Sequence, residues 1–268
     1  MIYLTGSGGF LGSHLRRVLI GDVITIPHEQ IADYDYAPFD KFFFLSTFGN
    51  MIEHDDDEKI MQANVIDVIK VMEKVIKFNF KSFVFISTSS VKLPRQTMYS
   101  RAKDAAEQIL LAFKEKYNAP ICIVRPTTIY GPHEQPQHLI PTILRSCFKG
   151  ELMNFVPEPV HDWIYVEDIV DGILNLSEHS AKGIYELGTG IKTINQEILN
   201  LIEEITGKKA NINFVPSMRD YDTQDWVATN FRARSFGWLP KVSLKEGLKR
   251  MVEDYVNNSN SYGNKKYE

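Results

Sequence analysis

Ile2-Tyr3-Leu4-Thr5-Gly6-Ser7-Gly8-Gly9-Phe10-Leu11-Gly12 begins as a short apolar strand, turns through a glycine-rich loop and enters an amphipathic helical pattern over Leu11–Leu19. Glycines at 6, 9 and 12 allow a tight turn, a backbone approach free of Cβ atoms and a helix start whose N–H groups face outward. A dinucleotide pyrophosphate needs all three, so the stretch reads as a cofactor loop at the first strand–helix junction of a parallel α/β fold. An acid about 20 residues further on usually bonds the adenosine ribose. Here the second strand, Val23–Ile26, ends in Pro27-His28-Glu29. Glu29 suits a ribose diol and NAD, His28 suits a 2′-phosphate and NADP, and a plain loop role for both carries equal weight.

Working outward, short apolar runs alternate with helical patterns. Lys41–Leu45, Ser82–Ser87 and Pro120–Val124 read as strands, and Asn64–Phe78 and Ala102–Lys116 as helices. Phe42-Phe43-Phe44-Leu45 and Phe83-Val84-Phe85-Ile86 are apolar throughout, as strands covered on both faces must be. The expected fold is therefore α/β, a Rossmann-like doubly wound parallel sheet with a smaller C-terminal substrate-binding lobe. After residue 125, prolines at 126, 132, 136, 141, 157 and 159 break the pattern into loops and short elements, with helices at Ile169–Leu176, Asn195–Ile205 and Leu244–Val256. The expected organisation is a nucleotide-binding domain over 1–130, shortened between its second and third strands. A lobe over 131–256, interleaved with the main sheet, and a flexible Asn/Ser-rich tail over 257–268 follow. The acidic run Glu53–Glu58 reads as a solvated loop or a helix N-terminus.

The chain has 268 residues, 44% hydrophobic and 24% charged, with 30 basic against 34 acidic side chains and a net charge of −4. This excludes the basic stripe that a duplex-DNA binder needs. Two cysteines, Cys122 and Cys147, form no disulfide framework or zinc pattern and suit a reducing compartment. No apolar run approaches the roughly 20 residues that span a bilayer, and no signal-peptide pattern opens the chain. A cytoplasmic protein with no metal, no nucleic acid and no membrane partner is expected.

Tyr99-Ser100-Arg101-Ala102-Lys103 puts a phenol and an ammonium on one helical face, where the cation favours phenolate and prepares an acid/base. Such pairs are common by chance, and Tyr262 with Lys266 is another. The first gains weight from Ser87-Thr88-Ser89-Ser90, hydroxyls clustered at the carboxyl end of a core strand, where open α/β sheets bind ligands. A turn or helix cap is the competing use of such a cluster.

In this order and spacing these residues resemble the extended short-chain dehydrogenase/reductase superfamily, in particular its NAD-dependent epimerase/dehydratase family acting on nucleotide sugars. The resemblance runs nearly end to end. Asp40 to Thr47 is similar to the strand whose end, Leu45-Ser46-Thr47, lines the cofactor, and Asn64 matches an asparagine opening the next helix. Arg125-Pro126-Thr127-Thr128-Ile129-Tyr130-Gly131-Pro132 is similar to the family's Arg-Pro-x-Asn-Val-Tyr-Gly-Pro. Asp162 to Asp168 and Tyr185 to Gly190 match segments of the small lobe. The resemblance implies that Tyr99 is the catalytic acid/base and Lys103 its partner and a ribose ligand. Thr88 would be the hydroxyl on the reacting sugar oxygen, with Ser89 in reserve. It places the cofactor against Gly6, Gly9, Phe10, Leu11, Gly12, Leu45, Ser46, Thr47, Asn64 and Pro126. It places the substrate against Thr88, Tyr99, Thr128, His161 and Arg219.

Departures narrow the reaction. In the 4,6-dehydratases of the family Asp-Glu follows the hydroxyl residue, whereas Ser89-Ser90 supplies no carboxylate. Only about 15 residues separate the second strand from Phe42, so the helix and strand that the family commonly inserts there have no room. Thr128 replaces an asparagine, and His161 stands where an arginine often clamps diphosphate, although a lone histidine is more often structural. The expected activity is NAD(P)-dependent nucleotide-sugar epimerisation through a transient 4-keto sugar. An NADPH-dependent ketoreductase is the alternative, and a non-catalytic NAD(P)-binding protein a weaker one. The resemblance implies a homodimer, since many relatives pack the helix carrying the tyrosine and the one before it into a four-helix bundle; both helices carry apolar stripes here (Val65, Val68, Ile69, Met72, Val75 and Ile76; Ala106, Ile109, Leu110 and Phe113), part of which must face the sheet.

Overall fold

The computed structural model describes residues 1–51, 54–217 and 227–258. The first half contains β1 (Ile2–Thr5), α1 (Phe10–Val18), β2 (Val23–Ile26), β3 (Lys41–Phe44), α2 (Asp57–Met61), α3 (Asp67–Val75), β4 (Ser82–Ile86), α4 (Met98–Tyr117) and β5 (Ile121–Pro126). The second adds β6 (Thr128–Tyr130), α5 (Leu139–Lys149), β7 (Met153–Phe155), β8 (Val160–His161), β9 (Trp163–Tyr165), α6 (Val166–Glu178) and β10 (Gly183–Leu187). It closes with β11 (Thr193–Ile194), α7 (Asn195–Thr206), β12 (Ile212–Phe214), α8 (Phe231–Arg234) and α9 (Leu244–Asn258).

Two compact units emerge. The first joins Met1–Pro126 to Val170–Leu187 and Asn230–Trp238. Its six strands run in the order β10-β5-β4-β3-β1-β2, every neighbour parallel. Pairing Tyr3 with Phe42, and Phe42 with Phe83, stacks aromatic side chains across three strands. Val68, Val71, Met72 and Val75 of α3, with Ala106 and Leu110 of α4, bury them in one core. The short β2–β3 connection holds a single 3₁₀ turn, His28–Gln30, and then an aromatic cluster in which Tyr34, Tyr36 and Phe39 meet the Tyr3 ring edge-on. Tyr3 also accepts the Ala37 N–H at 3.0 Å, so the shortened crossover is anchored rather than loose.

The second unit joins Thr127–Ile169 to segments within 188–229 and 239–268. Three two-stranded pairs, β6 with β9, β7 with β12 and β8 with β11, accompany α5, α7 and α9. Tyr130, Ile143, Phe155, Trp163, Ile202 and Met251 share its core.

Four sequence readings need correction. The helix expected from Asn64 starts at Asp57, because Asp56 caps it by accepting the Lys59 N–H at 3.1 Å, which makes the acidic run a helix start. A π-helical turn at Gln62–Ile66 then joins α2 to α3. The stretch read as loops after residue 125 contains the eleven-residue α5; Pro141 is its third residue, where the missing N–H has no intrahelical carbonyl to lose. Tyr185 to Leu187, matched to the small lobe, belongs to β10 and extends the main sheet beside β5. As an edge strand it buries only alternate side chains, so it lacks the all-apolar signature of the central strands. Asn257 and Asn258 close α9, and the rest of the expected tail lies outside the described residues.

Candidate functional site

In the first unit, the Thr5 hydroxyl at the end of β1 accepts the N–H groups of Leu45 (3.1 Å) and Ser46 (3.2 Å), tying together the carboxyl ends of adjacent strands. The chain then turns at Gly6, whose φ is +67°, and the Gly9 N–H closes the turn on the Gly6 carbonyl at 3.1 Å. A Cβ at Gly12 would lie 1.9 Å from that carbonyl oxygen, whereas one at Gly8 would meet nothing within 4 Å. Gly9 caps α1 without a side-chain oxygen, and the first turn, which starts at Phe10 and Leu11, carries no acid. The helix N-terminus therefore keeps its positive dipole end and its outward N–H groups for an anion. This Cβ-free cradle fits a dinucleotide pyrophosphate. His28 and Glu29 are both exposed on the 3₁₀ turn after the edge strand β2, and buried Pro126 ends β5.

Asn64 is fully buried in the π-helical turn, and its side chain is engaged within the protein. Its amide donates to the carbonyls of Phe48 (2.7 Å) and Ile60 (2.8 Å), and its oxygen accepts the Thr47 hydroxyl at 2.7 Å. It thereby shapes the loop after β3.

Tyr99 and Lys103 occupy consecutive turns of α4, which Thr97 caps by accepting the Ser100 N–H at 3.2 Å. Lys103 is 1% exposed, donates to the Ile86 carbonyl at 2.9 Å and lies 4.6 Å from the Phe85 ring centre, but 6.0 Å from that of Tyr99. Burial lowers its pKa to about 7, against the pull of Glu107. Burial also pushes the Tyr99 phenol up, with a hydrogen bond to Thr47 acting the other way. The expectation that the ammonium favours the phenolate is not met in the protein alone: burial is the larger effect, and the phenol is held above its ordinary value.

A stability prediction follows from the depressed lysine. Between pH 7 and its unfolded value near 10.4, Lys103 is neutral when folded and protonated when unfolded, so its cost to the fold decreases as pH rises through that window. Lys103→Met, which removes the ionisable group at similar volume, is expected to gain thermal stability over wild type. The gain is largest below pH 7 and shrinks toward pH 10, as melting temperatures of both proteins across pH 6–10 would reveal.

The hydroxyls after β4 are linked. Thr88 accepts the Ser90 N–H at 3.2 Å, Ser90 Oγ lies 3.1 Å from Thr88 Oγ1 and 2.8 Å from Ser100 Oγ, and Ser100 Oγ lies 3.2 Å from Thr97 Oγ1. Thr88 is thus a cap, the competing use of such a cluster, and remains half-buried with Ser89 beside it.

In the second unit, Thr128 Oγ1 lies 3.3 Å from His161 Nδ1, and the His161 ring meets Trp163 edge-on. Next to them, buried Asp162 accepts the N–H groups of Thr189 (2.7 Å), Gly190 (2.9 Å) and Ala228 (3.0 Å), together with the Thr189 hydroxyl. Asp162→Asn would turn one oxygen into a donor facing donors. We expect it to lower stability by roughly 2–4 kcal/mol, read as a fall in melting temperature. Arg219 lies outside the described residues. Among the described residues no group of three or more His, Cys, Asp or Glu is placed to hold a metal ion, and no helix is long and apolar enough to cross a membrane.

The sequence reading missed Thr5, Thr97, Ser100 and Glu107. Thr97-x-x-Ser100 ahead of a helical pattern is a capping signal, and Glu107 continues the four-residue step from Tyr99 through Lys103.

Over 334 aligned residues, covering 98% of this chain and 92% of the other, the protein is 23% identical to human dTDP-D-glucose 4,6-dehydratase. It is 25% identical over 305 residues to a low-salt glycan biosynthesis protein of Haloferax volcanii, covering 95% of this chain and 98% of that one. The crystal structure of Thermotoga maritima UDP-glucose 4-epimerase with UDP-glucose superposes with a TM-score of 0.85 at 26% identity, covering 96% of this chain and 99% of that one. The model of the NAD dependent epimerase/dehydratase family matches residues 2–188, most of the chain. With the glycine cradle, the Tyr99–Lys103 helix and that match in agreement, the protein belongs to the NAD-dependent epimerase/dehydratase family of enzymes.

Proposed function

We propose that the protein is a nucleotide-sugar 4-epimerase that uses Tyr99 as acid/base, Lys103 as its cationic partner and Thr88 as the hydroxyl on the sugar O4. The observation that carries this reading is the placement of Tyr99 and Lys103 on one face of α4, with the lysine fixed to the last carbonyl of β4, two residues before Thr88. A bound NAD would supply reversible hydride transfer at the sugar carbon. The protein's share is placement and proton transfer. Ionised to the phenolate once the positive charge of the bound oxidised cofactor would add to that of Lys103, Tyr99 takes the O4 proton as the carbonyl forms and returns it on reduction. If the hydroxyl chain donates from Thr97 through Ser100 and Ser90 toward Thr88, the Thr88 proton is left to bond the substrate oxygen.

The first curated relatives are dehydratases, but elimination of water needs acid and base groups that Ser89-Ser90 does not supply, which favours epimerisation. The relatives' nucleotide sugars make a UDP- or dTDP-sugar the substrate to test, with Thr128, His161 and Arg219 as its candidate ligands. We read the protein as a cytoplasmic homodimer. Both cysteines are buried and unpaired, and Met61, Ile66 and Met98 stay exposed after the sheet has taken most of the two apolar stripes. Light scattering checks the dimer. The function is tested by denaturing the purified protein, identifying any released nucleotide by mass spectrometry, and incubating native protein with UDP-glucose, UDP-glucuronic acid or dTDP-glucose. C4 inversion with retained NAD⁺ supports the reading. Net NADPH consumption with a keto-sugar and no inversion overturns it.

A further inference from the structure

Glu107 is fully buried on α4, one turn beyond Lys103 and two beyond Tyr99. Arg125 of β5 grips its carboxylate in a fork, with Nε 2.9 Å from Oε1 and 3.0 Å from Oε2, and Nη2 on Oε2 as well. The Ser87 hydroxyl donates to the same carboxylate. A guanidinium does not surrender its proton in a protein, so Glu107 faces a permanent cation. The cluster brackets the end of β4: Lys103 holds the Ile86 carbonyl, Glu107 holds the Ser87 side chain, and Thr88 comes next.

We infer that Glu107, held by Arg125 and Ser87 one turn from Lys103, is a positioning residue that supplies the negative charge on the lysine's helix face and fixes the strand end from which Thr88 is presented. Burial favours the neutral amine, and Glu107 is the charge that acts on Lys103 in the opposite direction. Asp104 and Glu186 act on the guanidinium, and Glu186 is itself paired with Lys92 at 2.6 Å. Arg125 consequently sets how much of the Glu107 charge reaches Lys103. Its loss should free that charge, and loss of Glu107 should leave two buried cations of which only the lysine can discharge.

The catalytic meaning of this inference rests on the Tyr99–Lys103 reading above, but its electrostatic content is testable without substrate. Full-length protein labelled at the lysine side-chain carbons is titrated by NMR from pH 5 to 10, with the Lys103 signal assigned by its absence in Lys103→Arg. Glu107→Gln is expected to lower the Lys103 titration midpoint by about one pH unit or more, Arg125→Met to raise it, and Glu107→Asp to stay near wild type. If Glu107→Gln does not fold, the upward shift in Arg125→Met carries the test. A Lys103 midpoint that moves in neither folded variant overturns the inference. In the epimerase assay, the upper pH limit of kcat is expected to fall with the midpoint in Glu107→Gln and to be restored in Glu107→Asp. Absence of any sugar epimerisation by wild type would remove the proposed reaction and leave the titration to decide the role of Glu107.

Discussion

Tyr99→Phe is expected to lower epimerisation by roughly 10²–10⁴-fold while leaving the fold intact. The substitution keeps the aromatic ring on α4 and removes one oxygen. The Thr47 hydroxyl still donates to Asn64, so the loop after β3 retains its anchor. The helix cap at Thr97 and the Lys103 bond to Ile86 do not involve the phenol. What disappears is the group that takes and returns the proton. Because burial holds the free phenol above its ordinary value, wild-type activity should rise toward alkaline pH until Lys103 discharges. Turnover by product chromatography, with thermal melting as the control for folding, checks the expectation. Retention of more than about a tenth of wild-type turnover would take Tyr99 out of the chemistry.

Gly12→Ala is expected to act through the backbone. The new Cβ would sit 1.9 Å from the Gly6 carbonyl oxygen and 2.7 Å from its carbon, and neither is a side chain that a rotamer change moves away. Gly6 has no slack either, since a Cβ there would lie 2.7 Å from the Leu45 carbonyl carbon. Relief requires α1 to shift away from β1, which moves the helix N-terminus that forms the anion cradle. Overpacking of this kind costs about 3 kcal/mol, read as a melting temperature lower by roughly 6–12 °C for a chain of this size. NAD affinity, measured by titration calorimetry, should fall by at least about tenfold. Gly8→Ala is the matched control: with open space around it, it should bind NAD and melt like wild type. Equal affinities for the two variants would contradict the cradle.

What the sequence revealed was local in the chain. The glycine turn, the core strands and the Tyr99–Lys103 spacing each declare themselves within a dozen residues, so pattern alone located them. Glu107 and Arg125 stand 18 positions apart on a helix and a strand, and only the packing of α4 against β5 makes them partners. Edge strand β10 was hidden because half of its side chains face outward, and α5 because a proline looks like a break until its place in the first turn is known. Thr88 shows the converse limit. Its sequence position indicated a ligand hydroxyl, yet its partners in the fold are those of a helix cap, and the two uses coexist only if its proton points outward.

The first unit draws on three separate pieces of chain, and this has a consequence for how the protein is made. Strand β5 gains its outer neighbour only when β10 arrives, and Gly172 of α6 gains its packing partner only when Trp238 has been synthesised. A nascent chain emerging from the ribosome would display the free edge of β5 for more than fifty residues of translation, until β10 is made, and the first unit stays unfinished until Asn230–Trp238 follows. Termination before β10 is made therefore leaves that edge unpaired and yields an adhesive fragment rather than a small working domain, and such fragments are natural clients for chaperones.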